Sequence, residues 1–228
     1  MGSDSSAEAR AIWTELIGWA ERWRLPEPRV SAGWIDLPPA FAALARDGWI
    51  IRPLVEPPAT ADDEAQLVRE TGIDLPDDLR ALYRVHDGSF AQLLPQGMTL
   101  LPYAAMLTTW RSLALLADEF NAVPDAPISL ADAQTHLGCV YHRRWLPIAN
   151  ADELNLMLDF VPGPKGVAGQ VLMQVNECDY VVVSRSISDF LRRWLRLLRD
   201  GTARFDATYG YAISVDDIAI DRRLADVT

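Results

Sequence analysis

The 228-residue sequence holds two cysteines, three histidines and a single lysine, so it has few of the side chains from which metal cages, thiol chemistry and amine nucleophiles are built. Cys139 and Cys178 are too few for a disulfide framework and read as reduced thiols. No run of about 18 apolar residues occurs, which argues against a membrane-spanning helix. Met1 to Ser6 also lacks the basic and apolar regions of a secretory signal, so the expectation is a cytoplasmic protein with no membrane contact. Positive charge is short too: 21 basic residues stand against 32 acidic ones, a net charge of −11. A surface of that sign repels phosphate backbones, which disfavours nucleic acid and suits a basic protein partner. No Gly-x-Ser-x-Gly elbow, His-Glu-x-x-His pair or Walker loop is present, so no catalytic constellation can be assembled and no enzyme is expected.

What the chain does have is apolar patterning. Half of the residues are hydrophobic, and a chain of this length can hide roughly 70% of its unfolded-state surface. In Leu154 to Phe160 every second residue is a large hydrophobe, the period of a strand with one wet face. Pro162 to Gly169 supplies preset and positive backbone angles for a reversal. Gln170 to Val175 and Tyr180 to Ser184 then continue the alternation across a second hairpin loop at Asn176 to Asp179, so three antiparallel strands are predicted. Their cover follows at once. Ile187, Phe190, Leu191, Trp194, Leu195 and Leu198 share one helical face, with arginines opposite, a Ser186/Asp189 capping signature and Gly201 as the left-handed stop.

Ahead of this unit, Ile12, Leu16, Trp19 and Trp23 predict an amphipathic helix over Ala7 to Arg24, ended by Pro26 and Pro28. An extended connection is expected from Arg29 to Pro39, a short helix over Pro39 to Arg46 and a strand or extended link over Trp49 to Val55. Pro57-Pro58 marks the boundary of the main domain. Thr60 and Asp63 cap a helix from Ala61 to Thr71 that stops at Gly72, and a second helix starts at Pro76, the two forming a hairpin. Met106, Trp110, Leu113, Ala117 and Phe120 predict a helix over Ala104 to Phe120. Asn121 to Gly138 reads as a variable loop leading into a strand at Arg144 to Ile148. The expected organisation is an N-terminal helical extension (1–56), a main domain (57–201) and a C-terminal tail (202–228).

Several separated words also occur in a characteristic order: Pro57-Pro58-Ala59-Thr60, Gly72-Ile73-Asp74-Leu75-Pro76-Asp77-Asp78-Leu79-Arg80, His86-Asp87-Gly88, and Leu100-Leu101-Pro102 with Trp110. Trp145-Leu146-Pro147-Ile148, Leu158-Asp159-Phe160-Val161-Pro162-Gly163 with Gly169-Gln170-Val171, and the helix Ser186 to Gly201 complete the series. Over about Pro57 to Gly201 the sequence resembles the SUKH superfamily of Smi and Knr type, which includes a fungal cell-wall assembly regulator and many bacterial toxin-immunity proteins. The resemblance implies an α+β fold, a central mostly antiparallel β-sheet flanked by α-helices, and a binding role with no cofactor. The sequence departs from that pattern at Val68, where many members carry glutamate, and at Ala151-Asp152-Glu153, where a Gly-Asp pair is frequent.

Other motifs have plainer explanations. His136-x-x-Cys139-x-x-His142 offers zinc-ligand types, but it lacks a fourth ligand and sits in a loop entering a strand, so a buried thiol beside two surface histidines is expected and no metal. Gly163-x-x-Gly166-x-x-Gly169 with Lys165 lacks the helix that would aim a phosphate cradle, and reads as the hairpin turn. His86-Asp87 ends a helix before glycine, where capping explains both. The functional expectation is a non-enzymatic immunity protein that occludes a cognate toxin, with Asp77, Asp78, Asp87, Asp159, Glu177 and Asp179 as candidate charges around a Trp145 anchor. The alternative is a Smi/Knr-like regulatory scaffold that contacts several proteins.

Overall fold

The computed structural model describes residues 2–22, 45–46, 49–50, 54–120, 141–151, 154–175, 180–206, 211–214 and 224. In chain order these hold α1 (Gly2–Arg22), β1 (Ala45–Arg46), β2 (Trp49–Ile50), α2 (Ala61–Thr71), α3 (Asp77–Tyr83), β3 (Thr99–Leu100) and α4 (Tyr103–Phe120). After them come β4 (Trp145–Ala151), β5 (Leu154–Asp159), β6 (Gln170–Gln174), β7 (Tyr180–Ser184), α5 (Ile187–Arg199), β8 (Ala203–Asp206) and β9 (Tyr211–Ser214). The fold is α+β: strands β3-β4-β5-β6-β7 form one sheet in that order with every pair antiparallel, and helices flank it.

The predicted meander is present, and its first reversal is built as the turn residues require: the Gly169 N–H donates to the Asp159 carbonyl at 2.6 Å with φ of 85°. One expectation fails. β5 has no wet face, because Leu156 and Leu158 enter the main core while Met157, on the opposite face, packs with Trp145, Leu172 and Tyr180 in a second cluster edged by Leu113 and Tyr141. The polar residues that looked solvent-facing are satisfied across strands instead: the Asn155 side-chain amide donates to Gln174 Oε1 at 2.9 Å.

α5 covers the other face with Ile187, Phe190, Leu191, Trp194, Leu195 and Leu198 all buried, each contributing about 1.5–3 kcal/mol relative to exposure. Ser186 caps it by accepting the Asp189 N–H at 3.2 Å, and the last helical turn closes on Asp200, with Gly201 taking positive φ (77°) one residue later. α1 lies along α3 and α5. Its inner stripe is Ala9, Ile12, Trp13, Leu16 and Ala20; Trp19 is only partly buried, so the predicted stripe is rotated toward Trp13. Trp23 falls outside the described residues.

α2 has the expected reciprocal Thr60/Asp63 capping box and stops at Gly72 with φ of 65°. α3 is short, with Pro76 as its N-cap. The two do not form a hairpin: α2 packs on α4, whereas α3 packs on α1 and α5. Arg80 bridges them, its Nε donating to Glu64 at 2.7 Å. Ala45–Arg46, expected to be helical, pairs as a strand with Trp49–Ile50; residues 39–44 of that expected helix, the connection 29–39 and the loop 121–138 lie outside the described residues. In the tail, β8 and β9 pair with each other, and Phe205 and Ala212 close over Leu16, Trp19 and Leu198.

Candidate partner-binding surface

The segment 54–57 and the His86-Asp87-Gly88 corner are fastened backbone to backbone. Glu56 N–H donates to the Gly88 carbonyl at 3.2 Å and Asp87 N–H to the Pro57 carbonyl at 2.7 Å. Gly88 has φ of 94°, and a Cβ there would stand 2.7 Å from the Leu100 oxygen and the Pro102 nitrogen, so the crossing closes only over glycine. Asp87 Oδ1 accepts the Tyr103 N–H at 2.9 Å, capping α4 from outside the helix. The sequence had assigned this corner to the end of the preceding helix; the carboxylate instead starts the next one.

Three carboxyls meet around this corner. Burial raises the Glu56 carboxyl and Asp87 raises it further; burial likewise raises Asp87, the Tyr103 N–H opposes that, and Asp63 adds to it. Like charges crowded in a partly desolvated place shift this way. Among the described residues none of the three enters an ion pair, whereas Glu8, Glu15, Glu64, Glu70, Asp118 and Asp189 are each matched by an arginine. The arc Glu56–Asp63–Asp87 is therefore a concentration of unneutralised negative charge on a rigid crossing, an arrangement that attracts cationic side chains.

The remaining predicted site residues are scattered. Asp77 is exposed (70% of its side chain) and lies 4.0 Å from Arg80. Asp78 is buried, its Oδ2 accepting the Ser188 hydroxyl at 2.9 Å and the Ser188 N–H at 3.2 Å, so it holds the start of α5 and faces no partner. Trp145 is 2% exposed and is no surface anchor. Its indole N–H donates to Asp159 Oδ1 at 3.0 Å, and its ring packs on Tyr180 at 5.1 Å. Asp159, fully buried, also accepts from the Val161 N–H at 2.8 Å and the Gln170 amide at 2.9 Å. It is a structural node beneath the sheet, not a docking charge. Glu177 and Asp179 lie outside the described residues, as do His136, Cys139 and Cys178. His142 is partly buried and its Nδ1 accepts the Arg144 N–H at 3.0 Å; burial lowers its pKa. Among the described residues no group of three or more His, Cys, Asp or Glu is arranged to hold a metal.

Residues 58–193 match the SMI1/KNR4 family (SUKH-1). This chain belongs to that family. It is also 32% identical over 149 residues to the cell wall biosynthesis/cell cycle regulator smi1 of Schizosaccharomyces pombe, an alignment covering 58% of this chain and 29% of that protein. The chain thus spans less than a third of that relative's length. Within the SMI1/KNR4 segment lie Asp63, Asp87, the sheet and most of α5, while α1 falls wholly before it and Glu56 just before it. Glu56 escaped the sequence reading because nothing local marks it; its importance comes from the pairing of segment 54–57 with the Gly88 corner. No described helix is long and apolar enough to cross a membrane.

Proposed function

We propose that this member of the SMI1/KNR4 family is a non-enzymatic, cytoplasmic protein-binding module that neutralises a cognate toxin by occlusion, taking basic side chains of that toxin onto the Glu56–Asp63–Asp87 arc. The observation that carries the reading is the arc itself: Asp87 raises the Glu56 carboxyl and Asp63 raises Asp87, and among the described residues no arginine pairs with any of the three. A guanidinium arriving from a partner would relieve that repulsion, and the net charge of −11 would steer it in. The regulatory-scaffold alternative draws support from the fission-yeast relative, a cell wall biosynthesis/cell cycle regulator.

The test is to read the gene beside the one for this chain and, where it encodes a toxin domain, to co-express the two and measure association kinetics of the purified pair. Rescue of growth and an on-rate that falls about tenfold or more between low and physiological salt are expected. Glu56→Gln together with Asp63→Asn should lower the on-rate without loss of fold. No rescue, or an on-rate indifferent to salt and to these substitutions, would refute the proposal. Several weak partners in place of one tight one would favour the scaffold.

A further inference from the structure

α1 lies outside the family segment, yet it is seated in a groove between α3 and α5 by three distinct kinds of contact. Apolar residues fill the floor, with Trp13 and Ala9 fully buried. Two arginines of α5 clasp its rim: Arg192 holds Glu8 through Nε and Nη2, each at 2.8 Å, and Arg199 holds Glu15 through Nε at 2.8 Å. Of the three, the third contact is the one that a single proton switches above the carboxylate range. The Trp13 indole N–H donates to His86 Nδ1 at 3.3 Å, which requires the imidazole to be neutral with its proton on Nε2.

We propose that the α3–α5 groove is a helix-docking site occupied at neutral pH by α1, and that protonation of His86 releases it. A protonated Nδ1 is itself a donor, so it would face the indole donor across the same short gap, and a fully buried indole has no solvent to turn to. The imidazole is only partly buried, so a proton can reach it. Burial depresses its pKa. The charged groups on the elements around it are Arg10 and Glu15 of α1, Arg84 and Asp87 beside it, and Glu56 across the Gly88 crossing. The Glu8 carboxyl, held below its ordinary range by Arg192, stays charged through the same interval and keeps its clasp. Docking therefore favours neutral His86. Its full strength is present above the ordinary histidine value of about 6.5 and is lost progressively as the pH falls from there to the depressed value.

The test is hydrogen exchange of α1 amides in the full chain between pH 8 and pH 5, corrected for the intrinsic rate. In the parent, α1 exchange should rise threefold or more on acidification, while β5 and β6 amides remain protected. His86→Asn, whose side-chain oxygen can replace Nδ1 as acceptor without titrating, should leave α1 protected and remove the pH response. Trp13→Phe should lower α1 protection at every pH and also remove the response. High salt, which weakens the Arg–Glu clasps, should raise α1 exchange equally in parent and His86→Asn. An unchanged pH response in His86→Asn, or no response in the parent, would overturn the proposal. None of these readouts depends on a toxin partner.

Discussion

Replacing Asp159 by alanine removes the acceptor for three donors at once: the Trp145 indole at 3.0 Å, the Val161 N–H at 2.8 Å and the Gln170 amide at 2.9 Å. The site is fully buried, so water cannot substitute. A buried donor left without a partner costs about 1–3 kcal/mol, and three donors sharing one acceptor lose less than their sum, giving an expected loss of about 3–6 kcal/mol. That is a large share of a typical domain stability of about 5–15 kcal/mol. Asp159→Asn separates the contributions. Its oxygen can keep the Trp145 and Val161 bonds, but its amide then opposes the Gln170 amide, whose own oxygen is committed to the Val167 N–H at 3.1 Å. A loss of about 1–2 kcal/mol follows from that one donor–donor conflict. Urea unfolding monitored by circular dichroism, with the slope held common, reads both values. A loss below about 1 kcal/mol for Asp159→Ala, or equal losses for the two variants, would show that this node does not hold the sheet's second face.

Asp78→Ala should cost about 1–2 kcal/mol by uncapping α5, and a double-mutant cycle with Ser188→Ala should return a coupling of about 1 kcal/mol by urea unfolding, since the two share a bond of 2.9 Å. Gly88→Ala should destabilise by about 2–4 kcal/mol, combining positive φ with two backbone contacts at 2.7 Å, and thermal unfolding would show it as a lowered midpoint. The Glu56 carboxyl is raised in the folded protein, so its penalty is complete above the raised value and disappears below the ordinary 4.5. Glu56→Gln should therefore raise the urea midpoint at pH 7 and leave it unchanged at pH 4. The Glu8 carboxyl has the opposite sign: lowered by Arg192, it stabilises above 4.5 and less as the pH falls through that value, so Glu8→Gln should flatten the acid limb of α1 protection.

The parts of the fold legible in the sequence are those governed by local period and caps. α5 could be read whole, because its apolar stripe, Ser186 cap and arginine back are all within one helix. The same holds for the Thr60/Asp63 box and the Gly72 stop. What could not be read depends on partners far along the chain. Asp78 looks like an ordinary acidic residue in a first helical turn, yet it caps a helix 110 residues away. Trp145 and Asp159 looked like interface groups because an indole and a carboxylate next to arginines and a turn are common on surfaces. They face inward because β4 and β5 are in a register that sets them directly opposite each other. The phase of α1 was missed for a related reason: Trp13 and Trp19 are both on plausible apolar stripes, and only the groove that receives the helix decides between them.

The two arginine clasps on α1 join residues 184 positions apart, Glu8 to Arg192 and Glu15 to Arg199, in the same direction along both helices. During synthesis α1 thus leaves the ribosome well ahead of α5 and waits for it before its flank can be covered. Until then its buried face, with the indole of Trp13, has no complete seat, and final assembly of this protein is an event that follows translation of α5. An early stop between α1 and α5 would leave α1 with an apolar stripe exposed to chaperones and proteases, however much of the sheet had already formed.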